Sequence, residues 1–114
     1  MSSHLRAGRA ALIALAALFA ETTAPAATPT PPAVVNIGNF TFGPMQVSVP
    51  VGGSVTWVNT DDVPHTVTAE DKSFRSRPLD TDERFTFTFT QPGVYSYFCS
   101  LHPKMVGKVI VRRP

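Results

Sequence analysis

At 114 residues the chain has room for one domain, and its formal net charge of +2 owes something to Arg6 and Arg9. From residue 33 onward eight Lys and Arg face seven Asp and Glu, so the body of the chain is near neutral and carries no electrostatic footprint for nucleic acid. One cysteine, Cys99, excludes an internal disulfide.

The first residues do not read as part of the fold. Met1 to Ala10 holds two arginines and no acid, and Ala10 to Ala20 is an unbroken apolar run of the kind found in a secretory signal peptide, followed by small residues at Ala24-Pro25-Ala26. The run is too short to span a bilayer comfortably as a helix. Residues 1–26 are therefore expected to direct export to the periplasm. The Pro- and Thr-rich stretch over 27–32 reads as an extended linker, and 33–114 as the domain.

Strand and turn signals fill the domain. Val34 to Ile37 and Phe40 to Phe42 read as a first strand with an irregularity at Gly38-Asn39. Met45 to Val49 alternates apolar and polar residues, with Met45 and Val47 facing the core. Gly52-Gly53 turns the chain, and Ser54 to Asn59 resumes the alternation with Val55 and Trp57 on one face. Asp61 to Pro64 is a loop ending at His65, where a short strand is expected through Thr68. Ala69 to Asp82 is polar and irregular. Arg84 to Thr90 sets Phe85, Phe87 and Phe89 on one face and threonines on the other. After the turn at Gln91-Pro92-Gly93, Val94 to Cys99 and Val106 to Val111 complete the set. Seven or eight short strands with no helical segment after residue 26 predict an all-β, Greek-key antiparallel β-sandwich or barrel.

Chemistry-bearing residues concentrate near the C-terminus. Cys99, His102 and Met105 lie within seven residues, and His65 is the only other histidine of the domain. Singly, each has an ordinary reading as a turn histidine, a small buried apolar group or core filler. Together they form one expected metal site. A thiolate, two imidazoles and a thioether are the donors of a blue-copper electron-transfer centre, and a metal would give an exported, unpaired thiol an occupant. His4 falls in the export segment and is not a candidate.

Trp57-Val58-Asn59 with His65 six residues on, and the run Pro92 to Val109 containing Cys99-Ser100-Leu101-His102-Pro103-Lys104-Met105, resemble the type 1 copper proteins of the cupredoxin family. The likeness is to its plastocyanin and azurin group, and to the amicyanins in the short Cys-x-x-His-x-x-Met spacing. The resemblance implies one copper ion with His65, Cys99 and His102 as close ligands and Met105 as a long axial one. It implies that Asn59 ties the loop bearing His65 to Ser100, and that the backbone N–H of Thr66 donates to the Cys99 sulfur. It implies electron exit through His102, within an apolar patch of Pro44, Pro64, Leu101 and Pro103 that receives redox protein partners.

The function expected is that of a monomeric periplasmic carrier of single electrons, not an enzyme, with no nucleic-acid partner and no membrane span in the mature form; left uncleaved, residues 1–26 would tether it to the membrane. The alternative is a copper-binding or copper-delivery protein, against which the lack of a Met-rich tract speaks. A thiol hydrolase using Cys99 and a histidine would need a substrate cleft that about eighty residues leave little room to build.

Overall fold

A computed structural model describes residue 16 and residues 30–114. The expected export segment over residues 1–26 lies outside the described residues apart from Ala16. Of the linker, residues 30–32 are described; they are exposed and belong to no strand. Among the described residues no helix is long and apolar enough to cross a membrane.

Two-residue alternation dictates the architecture. Among the described residues eight strands form: β1 (Ala33–Gly38), β2 (Thr41–Gly43), β3 (Gln46–Pro50), β4 (Ser54–Asn59), β5 (Thr68–Ala69), β6 (Arg84–Thr88), β7 (Gly93–Cys99) and β8 (His102–Arg112). They assemble as two four-stranded sheets in the orders β2-β1-β4-β6 and β3-β8-β7-β5, the predicted sandwich. Two pairings, β1 with β4 and β3 with β8, are parallel, which the expectation of an antiparallel fold did not include. Sequence periodicity records which face of a strand is buried; it carries no information on the direction of the neighbouring strand.

Between the sheets lies an aromatic core. Trp57 on β4 and Tyr97 on β7 are fully buried with ring centroids 5.4 Å apart, edge to face. Trp57 sits opposite Phe85 in the β4–β6 register, and the phenylalanine face of β6 and the residue beyond it packs inward as its pattern predicts: Phe89 is buried, and Phe85 and Phe87 rest against the core. On the outer face of the same pair, the hydroxyls of Thr56 and Thr86 meet at 2.8 Å, a cross-strand polar pair.

Several elements depart from expectation. The first strand is two, β1 and β2, reversing at Asn39 and Phe40, both at positive φ (49° and 57°) as in a type I′ hairpin turn. The strand expected from His65 begins only at Thr68; His65 instead makes a single bridge to Leu79. The polar connection 69–82 buries Phe74 and Leu79, so it caps the core despite its charge. Met45 precedes β3 and is 58% exposed, because the inward alternation of that strand runs through Val47 and Val49 only. The last strand starts at His102, not Val106. From Gly93 to Phe98 its pairing with β7 is regular, with Phe98 opposite Val106, and it then steps so that Cys99 faces His102. Pro103, Lys104 and Met105 thus have no partner on β7, a bulge that frees this segment to turn its side chains.

Candidate metal centre

That bulge solves the geometric demand on Cys99, His102 and Met105. Ser100 and Leu101 form a two-residue turn that sets His102 across from Cys99. The slack in β8 then lets Met105 turn inward, where it is 5% exposed. Met105 and His102 line one groove with Phe40, Leu101, Pro103 and Lys104. From the far side comes His65, fully buried and anchored by its two backbone bonds to Leu79.

The donor atoms converge. The Sγ of Cys99 is 3.7 Å from Nδ1 of His65 and 3.7 Å from Nδ1 of His102, and one atom from each of the three residues lies within 4.8 Å of the others. A first-row ion with metal–sulfur and metal–nitrogen bonds of about 2.3 and 2.0 Å, at angles between tetrahedral and trigonal, separates sulfur from nitrogen by about 3.5–3.7 Å. The observed separations fit such an ion without rearrangement. The donor set fits copper better than zinc, since a thioether is a poor zinc ligand.

Around these atoms the polar contacts are specific. The backbone N–H of Thr66 donates to the Cys99 sulfur at 3.3 Å, as the family resemblance implied. Nε2 of His65 lies 2.8 Å from Oδ2 of Asp61. A carboxylate only accepts, so Nε2 carries the proton and Nδ1 offers its lone pair toward the sulfur. The tie to Ser100, expected from Asn59, is made by Thr66: its hydroxyl accepts from the Ser100 N–H at 2.7 Å and meets the Ser100 hydroxyl at 2.7 Å. Asn59 works one step further back. Its Nδ2 donates to the carbonyls of Val63 (2.9 Å) and Leu79 (2.7 Å), and its Oδ1 accepts from the Asp61 N–H (3.0 Å). The fully buried Asn59 therefore shapes the loop that delivers His65. Its replacement by Ala leaves these groups unpaired and is expected to cost about 2 kcal/mol, read as a lower urea midpoint with unchanged m-value.

Two residues of the site were not picked out by sequence reasoning. Asp61 sat in a loop, although a carboxylate four residues before a ligand histidine is a usable signal. It also accepts from the N–H groups of Asn39 (2.7 Å) and Phe40 (3.0 Å). The Phe40 amide above all, then the Asn39 amide and the His65 imidazole, hold its carboxyl below the ordinary 3.8 against an opposing effect of burial. A depressed folded-state value means that these bonds stabilise the fold above the ordinary carboxylate range and are lost as pH falls through it. Phe40 gave no signal, because its place depends on two non-glycine residues taking left-handed backbone. Its half-exposed ring stands edge-on to both imidazoles, at centroid distances of 5.4 Å to His65 and 4.9 Å to His102. Of the expected apolar patch, Leu101 and Pro103 line the groove; Pro44 and Pro64 do not.

Known proteins resemble this chain in sequence and fold. A family model described as a cupredoxin-like domain matches residues 9–111. Amicyanin of Paracoccus versutus is 36% identical over 93 residues, spanning 77% of this chain and 70% of that protein. The purple cupredoxin of Nitrosopumilus maritimus has a TM-score of 0.68 and 39% identity, over 70% of this chain and 99% of its own. A Cu-containing nitrite reductase from Thermus scotoductus gives a TM-score of 0.71 at 32% identity, with 76% of this chain matching 24% of that one. Fold, converging donors and these matches together make the chain a member of the cupredoxin-like family.

Proposed function

We propose that the chain is a type 1 copper protein that carries single electrons between redox proteins in the periplasm. His65, Cys99, His102 and Met105 would hold the copper. The observation that carries this reading is the sulfur of Cys99 held midway between two Nδ1 atoms at 3.7 Å, with a buried thioether beside them. Residues 1–26 act as the export signal, 27–32 as the linker and 33–114 as the copper-binding domain, which works as a monomer.

Bound copper supplies a one-electron couple. The protein residues do the rest. His65 and Cys99 are fully buried, and both hang on strands or bridges that resist movement, so the donors keep their positions when the charge changes. The Thr66 N–H draws electron density from the sulfur and favours the reduced form. His102 is partly exposed in a groove whose other walls are mostly apolar, which makes its imidazole edge the point where an electron crosses to a partner. No second histidine pair exists in the domain for a further copper centre, and the matched portion of the nitrite reductase is a minor part of that enzyme; both favour a carrier over an enzyme.

The test is to produce the chain without residues 1–26, add copper, and record the visible spectrum and voltammogram. An intense thiolate-to-copper band and a reversible one-electron wave are expected. A colourless protein that prefers zinc would sink the reading. Met105→Leu, close to isosteric and thus costing under about 1.5 kcal/mol in stability, should keep copper and the band. Loss of the weak donor should raise the potential by about 59 mV or more, which is tenfold in a one-electron equilibrium.

A further inference from the structure

The β1–β2 turn reaches the metal site in a way that its sequence does not require. A hairpin turn with positive φ at both central positions normally takes Gly or Asn, and an aromatic residue there is an outlier. Asn39 meets the preference; Phe40, at φ 57°, does not. Such backbone persists when its surroundings over-determine it. Here the surroundings are one carboxylate, since the two turn amides both donate to Asp61, Asn39 to Oδ1 and Phe40 to Oδ2. Oδ2 also takes the Nε2 proton of His65. In consequence the Phe40 ring stands edge-on to both imidazoles, although it is 49% exposed and gains little from burial.

We propose that Asp61 and the Asn39–Phe40 turn form a single clamp, in which the carboxylate that aims His65 also locks the Phe40 ring as a cap over both imidazoles. The cap limits access of solvent and small molecules to the metal. Asp61 is a positioning residue, and it acts on one side through His65 and on the other through Phe40. This inference rests on the copper reading above for its effect on metal access, while the clamp itself is a property of the polypeptide.

The experiment compares the wild-type protein with Phe40→Ala, Asp61→Asn and, as a control for trimming an exposed apolar group elsewhere, Val94→Ala, which removes a 62% exposed side chain from the far end of β7. In the copper(I)-loaded proteins, extraction of the metal by bathocuproine disulfonate is timed. In copper(I)-loaded and metal-free proteins, NMR measures the hydrogen exchange of the Asn39 and Phe40 amides. Phe40→Ala should release copper at least about tenfold faster, and Val94→Ala at the wild-type rate. Asp61→Asn keeps the side-chain shape but turns one acceptor oxygen into a donor. It should speed exchange of the two amides by about tenfold or more, as expected for loss of bonds to a charged acceptor, and speed copper release with them. Wild-type release rates in Phe40→Ala overturn the cap. Unchanged exchange in Asp61→Asn overturns the clamp. Because that exchange is also read without metal, a chain that failed to bind copper would refute the proposed function and still leave the clamp decided by its own measurement.

Discussion

Replacing Cys99 by Ser is expected to abolish the visible charge-transfer band of the copper-loaded protein and to remove most of the stabilisation that copper confers. The band requires a thiolate donor, and Cys99 is the only cysteine of the chain. A serine hydroxyl is hard, stays protonated near neutral pH and suits copper poorly. The substitution is sterically mild: the site is fully buried, and an oxygen there can still accept from the Thr66 N–H that now meets sulfur at 3.3 Å. The variant should therefore fold. Copper present at a thousandfold its dissociation constant stabilises a folded protein by about 4 kcal/mol, worth roughly 16–32 °C in melting temperature for a domain of this size. The wild type should show an upshift of that order with copper; Cys99→Ser should show little. Retention of the band would remove Cys99 from the site altogether, whereas loss of β structure in the circular dichroism spectrum would mean that the thiol serves packing first.

The ligand residues were legible in the sequence because their signal is chemical and local. Cys99, His102 and Met105 crowd into one segment, and His65 has no histidine competitor in the domain. The sandwich was legible as well, because alternation in β4, β6 and β7 marks the inward face of each strand whatever the topology. What sequence could not supply was anything that depends on register or on rare backbone. The step that pairs Cys99 with His102 moves the start of β8 four residues upstream of the expected one. The parallel pairings leave the burial pattern unchanged and so leave no trace. Asn59 was recognised as important, but which partner it holds is decided by where the loop 60–65 runs. The link to Ser100 went to Thr66, whose hydroxyl is placed by the β5–β7 side of the site. Phe40 was the least accessible of all: its neighbours in sequence suggest a strand, and only a carboxylate 21 residues away makes its conformation tenable.

Gly107→Ala is expected to be the most damaging single-methyl addition in the domain. Gly107 faces Tyr97 across the β7–β8 ladder, and a Cβ at this position would overlap the Tyr97 ring and its hydroxyl. Neither side can yield cheaply. Tyr97 is fully buried among Trp57, Phe42 and Phe74, and burial pushes its phenol up to about 12, so it stays neutral in any ordinary buffer. Strand β8 is hydrogen-bonded on both edges, to β3 and β7, and cannot bow away without breaking ladder bonds. Overpacking of this kind costs up to about 3 kcal/mol or somewhat more, which predicts a melting temperature lower by roughly 12–24 °C. Gly43→Ala is the matched control, because the nearest atom to its added methyl is a backbone oxygen at 3.8 Å, ordinary contact; it should shift melting by only a few degrees. The damage should also reach the metal. Tyr97 and Cys99 share the inward face of β7, so a ring forced aside displaces the strand that aims the sulfur, and the copper-loaded variant should show a shifted charge-transfer band as well as a lower melting temperature. A Gly107→Ala protein that melts with the wild type and keeps its spectrum would mean that Tyr97 has a second place to go within the core.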